Sequence, residues 1–299
     1  MNISANILIT GSNGFIGKHL LNSLMHICIG YIICFDRGAI NIFKNDALIQ
    51  KLSTNEIDIL DGFLNNNKID FVYHLATNYK TDHKHDQVKD LILDNVYFTA
   101  NVCEFVVEHK PTFINSCSYW QFEPMGYELR PNNLYAASKN AALAVLEHYR
   151  VSHDFKIINA VIGDTYGTGD VRAKLLYKLI ETSINSAHIS LGDPNHIIAL
   201  THVQDIVKGL VQLMNLDVNK LDAPFVNLIS NQEYRLSELV ELVQKYTGKN
   251  IHHSWSGSSS RTAKNLKPWR KGFHLPEWSA EISLDESLAE LINSYSKKS

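Results

Sequence analysis

The chain has 299 residues, 45% of them hydrophobic and 20% charged, which is enough apolar sequence for a full core and a second lobe. A net charge of −3, with no basic tail or block of like charge, gives no indication of nucleic acid or a membrane surface as a partner. We find no apolar signal segment and no run approaching a membrane span, so we expect a cytoplasmic protein. The four cysteines lack metal-ligand spacing, which predicts reduced thiols: Cys28, Cys34, Cys103 and Cys117.

The first predicted elements are a buried strand at 7–9, a glycine turn and an amphipathic helix. The turn contains Gly11, Gly14 and Gly17, with Asn13, Phe15 and Ile16 between them. Strand, glycine turn and helix in this order are the context of a dinucleotide-binding fingerprint. The glycines allow the backbone to approach a pyrophosphate, and the amides of the helix N-terminus face the anion. A glycine turn without a ligand is the alternative that the flanking pattern disfavours.

The second predicted strand ends in Asp36-Arg37-Gly38. An acidic residue about twenty positions after the glycine turn is where a Rossmann fold binds the adenosine ribose. Asp36 favours NAD because a carboxylate repels a 2′-phosphate, whereas the guanidinium of Arg37 can accept that phosphate and stack on adenine. The same three residues could also form a plain strand-to-loop turn. The sequence therefore leaves NAD or NADP open.

The next segments predict two further strands and a polar loop. Residues 56–61 resemble the end of a third strand, and 71–77 form the fourth. Between the fourth strand and the next helix, two histidines stand two positions apart, at His83 and His85. A polar loop with no third ligand is more often solvated than metal-bound, so no metal site is predicted.

A hydroxyl-rich strand end precedes the most informative helix. The fifth predicted strand covers 112–118 and ends in Ser116-Cys117-Ser118. The helix that opens at 134 and runs to about 150 carries Tyr135 and Lys139 four positions apart, so both project from one helix face. This spacing shows only that the two side chains could meet.

Together these motifs resemble the extended short-chain dehydrogenase/reductase family, also called NAD-dependent epimerases/dehydratases. The motifs are GxxGFxG at 11–17, an acidic strand end, a hydroxyl-rich fifth strand and YxxxK at 135–139. The resemblance implies that Tyr135 exchanges a proton with a sugar oxygen, that Lys139 lowers the pKa of that phenol and holds the nicotinamide ribose, and that Ser118 bonds the reacting oxygen.

The resemblance also implies further cofactor contacts. Asp58 and Ile59 would contact adenine at the end of the third strand. Leu75, Ala76 and Thr77 would let the backbone pass beside the cofactor. Asn95, in a helix over about 90–108, would contact the strand that carries the catalytic serine.

One departure from the family pattern narrows the predicted reaction. Dehydratases of this family place an Asp-Glu pair beside the catalytic hydroxyl, where this chain has Tyr119 and Trp120. No carboxylate follows until Glu123, which disfavours dehydration. The short aromatic segment resembles the 4-keto-6-deoxyhexose reductases, notably the abequose and paratose synthases.

The C-terminal half resembles the family more loosely. Asp164 and Arg261 are the implied substrate contacts, although Arg261 could equally be an exposed loop charge. Ile198 stands where the family often has a phosphate-binding arginine, and Val161 also replaces an arginine. The expected domains are a dinucleotide-binding Rossmann domain over 1–163 and a nucleotide-sugar lobe over 164–299, with 198–215 returning to the Rossmann domain.

The sequence thus predicts a doubly wound α/β fold with a parallel sheet and a smaller C-terminal lobe. The favoured activity is NAD(P)H-dependent reduction of the C4 keto group of a nucleotide-bound 4-keto-6-deoxyhexose, in deoxysugar biosynthesis for surface polysaccharide such as lipopolysaccharide O-antigen. The alternatives are a nucleotide-sugar 4-epimerase with tightly bound NAD and a non-catalytic NAD(P)-binding scaffold or sensor. Helices around 90–108 and 134–150 match those that pair family members into homodimers.

Overall fold

A computed structural model describes residues 2–54, 56–123, 126–172, 174–221, 223–256 and 267–296. Arg261, one of the two predicted substrate contacts, lies outside the described residues. The helices described are α1 (Phe15–Ile27), α2 (Ile57–Leu64), α3 (Val88–Ile92), α4 (Phe98–Phe105), α5 (Leu134–His153), α6 (Leu175–Asn185), α7 (Val203–Gln212), α8 (Leu236–Thr247) and α9 (Leu284–Ser296).

The central element is a nine-stranded sheet with the order β14-β11-β7-β6-β5-β1-β2-β3-β4. Its strands are β1 (Ile7–Thr10), β2 (Tyr31–Asp36), β3 (Ala39–Lys44), β4 (Ala47–Leu52), β5 (Phe71–His74), β6 (Thr112–Ser118), β7 (Lys156–Ile162), β11 (Phe225–Leu228) and β14 (Phe273–His274). From β14 to β2 all neighbours are parallel. The strand order reverses between β1 and β5, and a doubly wound sheet binds its ligand beside such a reversal. The predicted fold class is confirmed.

The edge of the sheet beyond β2 differs from the prediction. Strands β3 and β4 form an antiparallel hairpin, and residues 57–64, expected to include a strand end, form helix α2. The hairpin turns at Asn45 and Asp46, which both have positive φ, as two-residue turns with matching twist require. In β3, Ile40 and Ile42 alternate toward the core. This alternation and the Asn-Asp pair were the local signal for a hairpin.

Helices cover both faces of the sheet. Alternate residues of β1 point to opposite faces. Ile7 and Ile9 pack in one cluster with Leu20 of α1 and Leu210 of α7, whereas Leu8 packs on the other face in a cluster that contains residues of α2, α4 and α5: Leu60, Leu64, Val102, Cys103, Leu146 and Tyr149. Burial of each such aliphatic side chain contributes about 2 kcal/mol. These two layers fix the carboxyl ends of β1, β2, β5 and β6 along one edge.

A third cluster lies in the C-terminal half. It joins α6, α8 and α9 around Leu179, Leu239 and Leu288. A three-stranded sheet and a two-stranded sheet accompany these helices: β12-β10-β8 and β13-β9, made of β8 (Asp164–Tyr166), β9 (His188–Leu191), β10 (Ile197–His202), β12 (Glu233–Arg235) and β13 (His252–Trp255). Strands β11 and β14 of this half belong to the large sheet. The exact boundary between the two predicted domains remains a prediction.

Candidate active site

The glycine turn makes close backbone contact with the segment after β5. Gly11 has φ +75°, and a Cβ atom on it would lie 2.6 Å from the amide nitrogen of Ala76. A Cβ on Gly17 would lie 2.0 Å from the carbonyl oxygen of Gly11. Only glycine satisfies both requirements. Helix α1 then begins at Phe15, with Gly14 as its N-cap.

Asp36 ties the end of β2 to this turn. Its carboxylate accepts hydrogen bonds from the Ser12 amide at 2.8 Å, from the Ser12 hydroxyl and from Asn13 Nδ2 at 2.9 Å. Arg37 extends beside it with a largely exposed side chain, 3.6 Å from the carboxylate of Asp94. The bonds of Asp36 stabilise the glycine turn; a ribose contact by Asp36 stays a prediction.

A buried histidine lies directly beneath the turn. The Nδ1 atom of His74 is 2.9 Å from the hydroxyl of Thr10, and its Nε2 atom is 2.9 Å from the hydroxyl of Thr99. Burial, with a smaller contribution from the nearby charge of Lys139, lowers the pKa of His74 to about 3. At neutral pH the ring is uncharged, so it joins β1, β5 and α4 through hydrogen bonds alone.

Asn95 lies at the middle of the expected helix, which the structure divides. A π-helical turn, Leu93–Tyr97, separates α3 from α4. The amide oxygen of Asn95 accepts from the Thr77 hydroxyl at 3.1 Å and from the Asn78 backbone at 2.7 Å, while its nitrogen donates to Ser138 of α5 at 2.9 Å. These hydrogen bonds connect Asn95 to the segment after β5 and to α5. Contact with the strand that carries Ser118 stays a prediction.

Ser118, Tyr135 and Thr77 meet at the carboxyl edge of the sheet. Tyr135 is in the first turn of α5, whose N-cap Asn133 accepts from the Ala136 amide at 2.9 Å. The side chains of Thr77 and Ser118 lie close enough to the Tyr135 phenol to lower its pKa. Burial nevertheless raises the pKa of Tyr135 to about 12, so the expected lowering by Lys139 is not found in the protein alone. Tyr135 is therefore protonated at neutral pH.

Lys139 lies one turn further along α5 and is 3% exposed. Burial lowers its pKa, while the Cys117 thiol raises it. No acceptor among the described residues bonds its ammonium, and Lys139 is not in the described wall of either cavity. Ser118 is fixed separately, since its amide donates to Gln121 Oε1 at 2.7 Å and Gln121 in turn donates to Asn140 of α5 at 2.9 Å.

Two adjoining cavities open at this edge. The first, of about 450 Å³, extends from Asp36 and Arg37 to Ser118 and Tyr135. Its wall includes the predicted turn and β5 residues Gly11, Asn13, Gly14, Phe15, Ile16, Gly17, Leu75, Ala76 and Thr77. The second, of about 510 Å³, lies between α6, α8 and the aromatic segment after β6. The two share Tyr79, Tyr119, Trp120, Asp164, Thr165 and Lys174.

Asp164 occupies the junction of the two cavities. It accepts from the Tyr119 phenol at 2.7 Å and lies 3.7 Å from Lys174 Nζ. Lys174 is in turn 5.5 Å from the centre of the Tyr79 ring, and Tyr79 packs edge-on against Tyr135 at 5.1 Å. The predicted substrate contact Asp164 thus lies in the wall that the two cavities share.

Some predicted residues are absent from this edge, and other residues were not predicted. Asp58 and Ile59 belong to α2 and are not in the described wall of the first cavity. The β3–β4 hairpin, and not a strand from 56–61, lies beside β2 in the sheet. Asn95 and Lys139 are not in the described wall of either cavity. Tyr79, Arg172 and Lys174 line it without having been predicted. They come from loops, where no spacing motif identifies a cavity wall.

Two observations show that the first cavity fits a dinucleotide. The Gly11 backbone allows close approach, and the first-turn amides of α1 lack intrahelical acceptors, as at every helix start. Across the described ranges, no cluster of three or more His, Cys, Asp or Glu side chains could hold a metal ion. None of the helices in those ranges is long and apolar enough to cross a membrane.

Comparisons with known proteins agree with this geometry. The sequence model of the "NAD dependent epimerase/dehydratase family" matches residues 7–227. CDP-abequose synthase of Yersinia pseudotuberculosis is 22% identical over 90% of this chain and 94% of its own. GDP-L-fucose synthase 1 of Arabidopsis thaliana is 25% identical over 98% of this chain and 94% of its own.

Solved structures share the fold. UDP-glucuronic acid 4-epimerase of Bacillus cereus, in complex with UDP-glucuronic acid and NAD, superposes with a TM-score of 0.76 at 18% identity, covering 98% of this chain and 100% of that one. UDP-glucose 4-epimerase of Thermotoga maritima, with UDP-glucose, superposes with a TM-score of 0.75 at 19% identity. The superposition covers 98% of this chain and 99% of that one. At these identities the likeness shows the fold alone.

Proposed function

The chain belongs to the NAD dependent epimerase/dehydratase family, and from that premise we propose that it reduces the C4 keto group of a nucleotide-activated 4-keto-6-deoxyhexose. NAD(P)H is the reductant, and the product is a nucleotide-bound deoxysugar for surface polysaccharide. The nucleotide sugar would occupy the second cavity, with its C4 oxygen at Tyr135.

The protonated phenol of Tyr135, in the protein without bound nicotinamide, is one support for this proposal. Reduction of a ketone needs a proton donor at the start, and a phenol whose pKa is raised to about 12 by burial holds its proton at neutral pH. An epimerase begins instead by taking a proton from a sugar hydroxyl, which requires a phenolate. An epimerase would begin with oxidised nicotinamide, whose positive charge favours a phenolate. A reductase begins with reduced nicotinamide, which is neutral and does not favour a phenolate.

The aromatic wall is a second support. Tyr119 and Trp120 follow Ser118 directly, where a dehydratase would need an acid and a base beside the sugar. The nearest carboxylate in this wall, Asp164, is already bonded to the Tyr119 phenol and lies beside Lys174. A carboxylate held in this way is poorly placed to remove a proton from carbon.

The chain's own residues then have distinct tasks. Tyr135 donates its proton to the C4 oxygen, and the Ser118 hydroxyl donates a hydrogen bond to that oxygen as negative charge develops. Lys139 holds the nicotinamide ribose, and its charge stabilises the phenolate left after proton transfer. Bound NAD(P)H supplies the hydride to C4.

The relatives narrow the substrates to be tested. The names of two sequence relatives contain CDP-abequose and GDP-L-fucose, both nucleotide-activated sugars. The dTDP sugars complete the test panel. Asp36 favours NADH over NADPH by charge, and Arg37 favours the reverse, so both cofactors are included.

The purified protein is mixed with NADH or NADPH and with CDP-, dTDP- or GDP-4-keto-6-deoxyhexose, and nicotinamide absorbance at 340 nm is followed. We expect stoichiometric loss of absorbance with one nucleotide. Tyr135→Phe is expected to abolish it, whereas Tyr149→Phe, which removes a buried hydrogen-bonded phenol elsewhere on α5, retains it.

No loss with any substrate contradicts the proposal. Retained NAD together with interconversion of 4-hydroxy nucleotide sugars would establish the 4-epimerase instead. Bound cofactor without turnover of either kind would establish the scaffold or sensor.

We further propose that the protein works in the cytoplasm as a homodimer. Ile92, Leu93 and Tyr97 are exposed on the α3–α4 segment, which is one of the two segments expected to pair. Light scattering that gives about twice the 33.9 kDa chain mass supports the dimer, and a monomer mass contradicts it.

A further inference from the structure

Arg172 reaches the first cavity from the C-terminal half of the chain. Its guanidinium carbon lies 4.7 Å from the centre of the Phe15 ring, at the first turn of α1. It lines the first cavity together with Gly14 and Phe15, but it is not in the described wall of the second cavity. The arginine therefore lies beside the glycine turn and the first turn of α1, whose amides would face a bound anion.

Asp170 fixes the direction of this guanidinium. Arg172 Nε donates to Asp170 Oδ1 and Nη2 donates to Asp170 Oδ2, each at 2.7 Å, and the Arg172 amide donates to Oδ1 at 3.0 Å. The Asp170 side chain has no exposed surface, whereas Arg172 keeps 29% exposure. This fork occupies one edge of the guanidinium, and the described chain places no acceptor on Nη1.

The free edge has the geometry of a phosphate ligand. A guanidinium carries five donors in one plane, so two parallel bonds to Asp170 leave a second pair of donors for another anion. The Phe15 ring supports the plane from one side through a cation–π contact. The ion pair is net neutral, so directed hydrogen bonds rather than net charge would provide the affinity.

We propose that Arg172 binds the diphosphate of the dinucleotide, completing from the C-terminal half a site whose other wall is the glycine turn. The inference depends on the dinucleotide site and not on which reaction follows. With this contact, the bound cofactor would touch residues of both halves of the chain, because Arg172 belongs to the loop that leads into α6.

The second cavity also contains cations. Lys178 lines it from α6, and Lys174, at the start of α6, lines both cavities. The nucleotide sugar therefore does not need Arg172 for its diphosphate, and the position of Arg172 over Phe15 favours the cofactor.

The test measures binding without substrate. Affinities of ADP-ribose, which contains the diphosphate, and of adenosine, which lacks it, are measured by isothermal titration calorimetry for the wild type and for Arg172→Ala. Hydrogen bonds to charged groups predict about 10- to 100-fold weaker ADP-ribose binding in the variant, with adenosine changed less than twofold. Arg150→Ala, which removes an arginine from the bidentate pair with Glu147 on α5, is the control expected to bind both ligands as the wild type does.

Each other outcome overturns the inference. Unchanged ADP-ribose affinity means that Arg172 does not touch the diphosphate. Equal weakening of adenosine means that the variant disturbs the fold around the cavity, and Arg172→Lys, which keeps the charge but loses the fork, would then weaken both ligands equally. Unchanged ADP-ribose affinity with weaker CDP, dTDP or GDP binding would assign the arginine to the substrate. Because no turnover is measured, these results are independent of the reductase assay.

Discussion

The two ends of the active-site edge are built differently. At the glycine-turn end, each polar side chain has hydrogen-bond partners within the protein: Asp36 bonds Ser12 and Asn13 of the turn, and His74 bonds Thr10 of β1 and Thr99 of α4. At the junction with the second cavity, charged groups line open space. The Tyr119 phenol comes from the segment after β6, Asp164 from β8 and Lys174 from the start of α6.

This contrast separates polar groups that are already hydrogen-bonded within the protein from charged groups that face a cavity. A site whose polar groups are satisfied by the protein's own hydrogen bonds is preorganised before any ligand arrives. Charges that line an open cavity are instead available to discriminate between ligands. We therefore expect changes at the glycine-turn end to affect folding and cofactor binding, and changes at the junction to affect the choice of sugar.

The largest effect is expected where the two ends meet, at Ser118. Ser118→Ala removes the hydroxyl that lies beside the Tyr135 phenol and would bond the developing oxyanion, so kcat should fall about 100- to 1000-fold with KM changed little. Ser118→Thr keeps the hydroxyl and should recover most of the rate. Steady-state kinetics measure both, and equal losses in the two variants would exclude a role for the hydroxyl.

A glycine pair tests how rigid the turn is. Gly11 and Gly38 have φ of +75° and +78°, but a Cβ on Gly11 would lie 2.6 Å from Ala76 N whereas a Cβ on Gly38 meets nothing within 4 Å. Gly38→Ala should lower the free energy of unfolding by about 1 kcal/mol, the conformational cost alone. Gly11→Ala should cost about 3 kcal/mol or more and weaken NAD binding, because the backbone must move.

Urea unfolding and NAD titration of the two glycine variants measure these differences. Equal losses in Gly11→Ala and Gly38→Ala would show that the turn yields easily and that the close approach to Ala76 is unimportant.

The buried histidine makes the same end sensitive to acid. Its pKa is lowered to about 3 in the folded protein, against about 6.5 when unfolded, so below pH 6.5 the unfolded chain binds a proton that the folded chain does not. The stabilisation is complete above pH 6.5 and is lost as the pH falls toward 3, by about 1.4 kcal/mol per pH unit. Near pH 5 the loss reaches about 2 kcal/mol.

His74→Gln keeps a hydrogen-bonding side chain without this titration. Its free energy of unfolding should fall less steeply than that of the wild type between pH 7 and pH 5. The difference between the two slopes should correspond to the uptake of about one proton on unfolding. The same substitution at the exposed His26 is the control, and it should leave the slope as in the wild type. Parallel slopes for the wild type and His74→Gln would contradict the neutral, buried histidine.

The same contrast explains which features could be predicted from the sequence. Two local patterns predicted the family and the fold that were then confirmed. They are the strand, glycine turn and helix at 7–27 and the Tyr135–Lys139 pair. The β3–β4 hairpin was missed because the family pattern suggested a strand near 56–61, although Asn45-Asp46 is a hairpin turn signal. The raised pKa of Tyr135 depends on burial by several elements, which no spacing reveals.

Arg172 and Lys174 could not be predicted for a related reason. Both are loop or helix-start positions whose relevance appears only when β8 and α6 are brought against the carboxyl edge of the sheet. Asp164 was predicted from family resemblance, but its partners Tyr119 and Lys174 are 45 and 10 positions away in sequence. The geometry of this junction therefore depends on contacts that no local spacing motif reveals.

The smallest effect is expected at that junction. Asp164→Asn keeps the shape and an acceptor for the Tyr119 phenol but removes the charge that faces Lys174. If Asp164 accepts a hydrogen bond from a sugar hydroxyl, the loss of a charged acceptor raises KM for the nucleotide sugar about tenfold while kcat changes little, since Tyr135 and Ser118 are unaltered. Asp193→Asn, at another part of the second cavity, is the matched comparison. An equal rise in KM for Asp193→Asn would mean that the cavity responds to total charge, whereas a rise confined to Asp164→Asn places the sugar beside Tyr119 and makes this junction the point where the chain selects its substrate.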